Sequence, residues 1–486
     1  MMARKFYITT TLPYVNAPPH IGFALEIVRA DALARWRRLM GDEVFFNTGT
    51  DEHGLKIYRA AQKEGKDPQA YADEYAAKFD QLKQALDLSY DNFIRTTDPH
   101  HVMAAQEFWQ RCDKNGDIYK KLYQIKYCVE CELEKTESEL ENGRCLIHPQ
   151  AEIELIDEEN YFFKFSRYQD KLLDFYESHP DFVVPAFRLN EIKKFVEAGL
   201  QDFSISRLKE KMPWGISVPG DDKHVMYVWF DALVNYISAL GWPEDEKKFE
   251  EFWGTKENPN AIQIAGKDNL RQQSAMWQAM LMSAGLPTSR QIYIEGFITS
   301  HGQKMSKSLG NVIDPIEIVK KYGTDSIRYY LLRHVNPFED SDVTEDTIRE
   351  AYNAHLANGL GNLVSRIMKM ASSLDLDVEL PKSEGVIYGR EFQETFKELE
   401  NYEFNGVADN LWVEISRLDA EIQAEKPFNL IESDPKKARK IIADLVLKLW
   451  YLAISLEPLM PETSLKIQEL IQQNKAPEKP LFLRLD

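Results

Sequence analysis

The chain has 486 residues, 44% of them hydrophobic and 12% aromatic, enough to fill the cores of two or three domains. Its formal net charge of -19 excludes a protein that coats nucleic acid indiscriminately, because such affinity grows with the phosphates neutralised by Lys and Arg. No apolar run approaches the roughly 18 residues a membrane helix needs, and Arg4 and Lys5 lead straight into a strand pattern with no targeting segment, so a cytoplasmic protein is expected.

Phe6-Tyr7-Ile8 reads as the first strand. Pro19-His20-Ile21-Gly22-Phe23 then opens a helical pattern with apolar residues at Ile21, Leu25, Val28, Ala32, Trp36 and Leu39, so a phosphate bound at its start would meet a helix N-terminus. Gly41 ends this helix, Glu43 to Phe46 reads as the next strand, and Thr48 to Gly54 as the turn into another helix. Strand, helix and strand in this order predict a parallel sheet whose ligands gather beyond the carboxyl ends of its strands.

Between about 115 and 225 the alternation breaks, as expected of an insertion. It carries Cys128-x2-Cys131 and, after thirteen intervening residues, Cys145-x2-His148, a donor set and spacing that suit a closed, structural Zn2+ site with one ion per chain. Cys112 stands apart near Phe108 and Trp109 and reads as a core residue. Sheet-like runs resume at Val225 to Trp229, Ile262 to Ala265 and Ile292 to Ile294. Lys304-Met305-Ser306-Lys307-Ser308 follows between Gly302 and Gly310, two ammonium groups that suit a pyrophosphate leaving group.

Beyond the acidic linker Asn336 to Asp342, helical periods run through about 344-372, 388-424, 435-456 and 462-473. The predicted class is α/β, a Rossmann-like parallel-sheet catalytic domain with a zinc-binding insertion, followed by an all-α bundle. The expected divisions are 1-115 and 226-340 for the two halves of the catalytic domain, 116-225 for the insertion and 341-486 for the bundle.

With these motifs in this order, the chain resembles the class I aminoacyl-tRNA synthetases, most closely their methionyl branch. Leu12 to Gly22, Thr48 to Gly54, Asn160 to Phe163, Trp214 to Ile216, Tyr227 to Ala232, Gly266 to Asp268 and Lys304 to Ser308 carry the resemblance, together with the cysteine cluster. It implies that methionine and ATP, the latter with Mg2+, form methionyl adenylate, and that tRNA(Met) then receives the amino acid. His20, Lys304 and Lys307 would be catalytic. Gly22, Phe23, Gly266 and Asp268 would join them around ATP, and Leu12, Tyr14, Asp51, Trp229, Ala232, Tyr236 and Gln273 would form the methionine pocket. Asn362, Arg366 and Phe428 would read the anticodon, making 341-486 an anticodon-binding domain. A monomer is the simpler expectation.

Two departures from the family pattern stand out. Phe23 replaces a second histidine of the first motif, and Asn269 and Gln273 put amides where an Ile and a His are common in the pocket wall.

Overall fold

The computed structural model describes residues 4-131, 133-135, 139-305, 310-374, 376, 378-383, 387 and 389-485. Lys307, with Ser306 and Ser308, lies outside the described residues.

Six strands build the central sheet: β1 (Lys5–Thr10), β2 (Glu43–Thr50), β3 (Asn92–Arg95), β4 (Val183–Val184), β5 (Ala261–Gly266) and β6 (Gln291–Glu295). Their order is β3-β2-β1-β5-β6-β4, and every pairing is parallel, with Ile8 opposite both Phe46 and Ile262. The strand order reverses between β1 and β5, where the two sequence halves meet, and that is where an open parallel sheet binds ligands. Strand alternation divides the core: Phe6 and Ile8 face one hydrophobic cluster and Tyr7 the other. The edge strand β4 comes from within the segment expected to be an insertion. Two residues are too few to leave a periodic signal.

Helix α1 (Ile21–Leu39) is buried along most of its length, including the charged Glu26, Arg29 and Asp31. His20 caps it, its Nδ1 accepting from the Gly22 N–H at 3.1 Å. Gly41, at φ 84°, takes the left-handed turn into β2.

The insertion is built on a long antiparallel hairpin, Ile118–Cys128 against Ile153–Phe163, in register from Ile118 opposite Phe163 to Cys128 opposite Ile153. The cysteine cluster lies at its tip. The run Val225 to Trp229 is not a strand of the central sheet, contrary to the sequence pattern. Asp221–Met226 is the middle strand of a small antiparallel sheet, and Val228–Ala232 is a short helix. A short apolar run cannot by periodicity alone be told from a buried helical turn.

The C-terminal region is helical. Glu345–Ala351 continues through the wide turns of Tyr352–Gly361 into Asn362–Ser373, and Phe404–Glu425, Pro435–Leu456 and Pro461–Gln472 pack around it. The expected helix from 388 is interrupted, because Tyr402 sits at φ 63° and restarts the chain at Phe404. These helices share the hydrophobic cluster of α1. Arg29 anchors the junction: fully buried, it pairs with Glu295 at 3.0 Å and donates to the carbonyls of Val335, Asn336 and Pro337 in the linker. Cys112 is buried, as its apolar neighbours predicted. Among the described residues no helix is long and apolar enough to cross a membrane.

Candidate active site

The turn that carries His20 and Gly22 meets Lys304 and Met305, the described front of the second motif, at the start of α1. The Ile21 N–H donates to the Ile313 carbonyl at 3.0 Å, tying the helix start to the segment that follows the lysine motif in sequence. From the front of that motif Met305 reaches the same turn, its methyl carbon 3.8 Å from where a Cβ on Gly22 would lie. Such a Cβ would also lie 2.9 Å from His20 Cε1, so the residue must be glycine for the ring to hold its capping position.

Because His20 Nδ1 accepts a backbone hydrogen bond, the neutral ring carries its proton on Nε2 and can offer it to an anion. Desolvation in the crowded cleft, and secondarily the Lys304 charge, push its pKa down and keep it neutral near pH 7. Lys304 lies in a two-residue strand, Gln303–Lys304, paired with Ile298–Ser300. Its charge also acts on Asp268, just past β5, where desolvation raises the carboxyl pKa and the lysine works against it. Gly266 gives Asp268 room: a Cβ there would lie 2.9 Å from its Oδ1. Phe23, by contrast, turns its ring edge-on to Phe79, with centroids 5.3 Å apart.

Beside this cleft is a cavity of about 80 Å³ lined by Leu12, Tyr14, Asp51, Trp229, Ala232, Tyr236, Asn269 and Gln273 among others. All seven residues expected in the amino-acid pocket therefore face one space. They arrive from the ends of β1 and β2 and from the helical segments around 230 and 270. Tyr14 and Asp51 bridge the loops after β1 and β2, the Asp51 N–H donating to the Pro13 carbonyl at 3.0 Å, and Trp229 Nε1 donates to the Tyr14 hydroxyl at 2.8 Å. A charge at one end and aromatic walls suit a zwitterionic ligand with a polarizable apolar side chain. A larger cavity of about 470 Å³, beside Arg59 and Lys211, contains none of these residues. The smaller one is the better candidate because its lining converges on the strand ends.

Sequence reasoning missed the floor of the cleft. Buried Glu26 accepts from both the N–H and hydroxyl of Thr11, at 2.7 and 2.6 Å. Glu295, at the end of β6, has its carboxyl pushed up to about 7 by burial, in spite of Arg29. A carboxylate on a buried helix face was the available signal, since Glu is rarely buried without a partner.

The ligand atoms of Cys128, Cys131, Cys145 and His148 all lie within 4.8 Å of one another. Cys131 Sγ is 3.4 Å from Cys145 Sγ and 3.1 Å from His148 Nδ1. This group can hold a metal ion, and three thiols with one imidazole at these spacings fit tetrahedral zinc. In the helical region Asn362 is exposed one turn before Arg366, which is paired with Asp419, and Phe428 is 47% exposed at the start of Pro427–Ser433.

The family model described as tRNA synthetases class I (M) matches residues 6-138 and 133-368. The chain belongs to this family. A methionine–tRNA ligase of Thermosynechococcus vestitus is 50% identical over 395 residues, covering 80% of this chain and 73% of that protein. One from Thermotoga maritima is 41% identical over 98% of this chain and 76% of its own length. The solved Mycobacterium tuberculosis methionyl-tRNA synthetase in complex with methionyl-adenylate superimposes with a TM-score of 0.88 at 35% identity, covering 96% of this chain and 94% of that one. This class I synthetase thus combines the predicted α/β fold, the helical C-terminal region and a metal-competent cysteine cluster.

Proposed function

We propose that this chain is a methionine–tRNA ligase. The methionine carboxylate attacks the α-phosphorus of ATP, a P–O bond forms as the bond to pyrophosphate breaks, and a terminal ribose hydroxyl of tRNA(Met) then attacks the adenylate carbonyl and releases AMP. The observation that carries this reading is the convergence, at the strand-order reversal, of the cleft bearing His20 and Lys304 with the cavity bearing Asp51 and Trp229.

Each residue has a part in that reading. Asp51 fixes the substrate ammonium and Trp229 the side chain, which places the carboxylate toward the nucleotide. Asp268 accepts from the ribose hydroxyls, with Gly266 and Gly22 leaving space for the nucleoside. His20 Nε2–H and Lys304 stabilise charge that grows on the phosphates, and Lys307 is assigned the same task from the motif alone. Mg2+ accompanying ATP would neutralise phosphate charge, and zinc at Cys128, Cys131, Cys145 and His148 would hold the tip of the hairpin. We assign the anticodon to the 341-486 region, with Asn362, Arg366 and Phe428 as its readers.

The test is ATP–pyrophosphate exchange with each of the twenty amino acids. Exchange that depends on methionine is expected; none, or exchange driven by another amino acid, rejects the reading.

A further inference from the structure

Behind the amino-acid cavity, buried polar side chains run in a line from Ser289 to Tyr236. The Ser289 N–H donates to Gln278 Oε1 at 3.0 Å, and Gln278 Nε2 donates to Ser289 Oγ at 3.1 Å and to the Gln273 carbonyl at 2.8 Å. Ser289 Oγ donates to Gln263 Oε1 at 2.5 Å, Gln263 Nε2 to Gln273 Oε1 at 2.9 Å, and Gln273 Nε2 to the Tyr236 hydroxyl oxygen at 2.8 Å. Each of these residues is at most 3% exposed.

The direction of this line is not a free choice. A backbone N–H can only donate, so Gln278 must present its oxygen to Ser289 and its amide nitrogen to the Ser289 hydroxyl. The Gln273 carbonyl, which can only accept, imposes the same orientation on Gln278. The buried Ser289 hydroxyl hydrogen then has Gln263 Oε1 as its acceptor, which sets Gln263 and in turn Gln273. Burial makes the reverse arrangement costly at every step, because an amide turned the wrong way faces donor with donor.

We propose that this relay fixes the hydrogen of the Tyr236 hydroxyl toward the cavity, making Ser289, Gln278 and Gln263 remote positioning residues for side-chain selection. Tyr236 receives a donor from behind, so its own O–H is offered to the ligand. A thioether sulfur is a weak acceptor and a methylene is none, so the relay favours methionine over norleucine, which has a methylene in place of sulfur. The inference rests on reading the cavity as the methionine pocket.

Gln263→Glu tests it with almost no change of shape. Its carboxylate still accepts from Ser289 but cannot donate to Gln273, which then turns its amide nitrogen back and lets Tyr236 donate to Gln273 and not to the ligand. In pyrophosphate exchange, the preference for methionine over norleucine should fall by about three- to tenfold, the worth of one hydrogen bond. The change should lie in the KM for methionine, with the KM values for ATP and norleucine within about twofold of the unmodified protein, as expected when only the sulfur contact is lost. Ser289→Ala, which removes the hydroxyl but keeps the backbone donor, should shift the preference the same way and serves if the buried acid prevents folding. Unchanged preference in a folded variant overturns the relay alone. Absence of methionine-dependent exchange in the unmodified chain overturns the pocket reading with it.

Discussion

Asp31 on α1 and Arg328 on the helix Thr324–Arg333 form an ion pair of 2.8 Å in which neither side chain is exposed. Arg328 also donates to the carbonyls of Leu86, Pro458 and Leu459, so one guanidinium joins α1 to the C-terminal helices. Removing Arg328 takes one of two guanidinium partners from the buried Asp31, which keeps Arg35, and leaves three carbonyls without their donor. Arg328→Met should therefore cost about 3–5 kcal/mol in urea unfolding. Burial would raise the Asp31 carboxyl, but Arg328, Arg35 and the Ser89 donors outweigh it and hold its pKa below the usual aspartate value. A carboxyl depressed on folding contributes fully above its unfolded pKa of about 3.9 and loses that contribution as pH falls below it. The urea midpoint should drop below about pH 4 in the unmodified protein, with a shallower drop in Asp31→Asn; parallel profiles would contradict the assignment.

His20 is predicted to act on the phosphates without being a nucleophile. His20→Ala should lower the rate of methionyl adenylate formation by about 10²- to 10³-fold, the scale for one donor aimed at developing charge. The KM for methionine should barely move, because the amino-acid cavity does not include His20. Single-turnover formation of adenylate separates the two quantities.

Asp51 is expected to carry the opposite signature. In Asp51→Asn the KM for methionine should rise by about 10- to 100-fold, the range for a hydrogen bond to a charged group, with the KM for ATP little changed. Equal effects on both substrates would point to a general disturbance of the loops after β1 and β2, whose backbones pair at Tyr14 and Asp51, and not to loss of an ammonium partner.

Purified protein should contain about one zinc per chain, bound by the tetrahedral set, and Cys131→Ser should lower that content. Desolvation first, then Cys145, push the Cys131 thiol up, so it stays protonated without metal and gives up its proton on binding one. Metal-free protein should lose protection of the hairpin tip in hydrogen exchange while the central sheet stays protected. Full protection without metal would refute the site.

The sequence made the cleft legible to different depths for reasons that lie in the residues. Asp51, Trp229 and Tyr236 came from the family resemblance, whose motifs carry them as short local strings, and they line one cavity. The cysteine cluster was legible because ligand spacing is local. Val225 to Trp229 misled, since an apolar run does not tell strand from buried turn, and β4 left no pattern at two residues. Arg29, Glu26 and the line from Ser289 to Tyr236 were invisible, because they depend on partners 5 to 308 positions away or on the direction of an amide that only packing settles.

Gly22 gives the sharpest test of the proposal that the two motifs share one nucleotide site. A methyl group at this position would lie 2.9 Å from His20 Cε1 and 3.0 Å from Nδ1, distances that real Cβ atoms do not tolerate. The ring is the movable party, since the helix backbone is held by the bond from the Ile21 N–H to Ile313. Gly22→Ala should therefore displace His20 from its capping position and lose the cap, a destabilisation of about 0.5–2 kcal/mol. It should also narrow the space for the nucleoside and raise the KM for ATP, while the KM for methionine stays near its original value. The double variant Gly22→Ala with His20→Ala removes the clash. If the single substitution acts through the ring, the cap can be lost only once, so the double variant should be no less stable than His20→Ala alone and should also lack the rate that depends on Nε2–H; stability losses that simply add would show that the methyl group does not act through the ring.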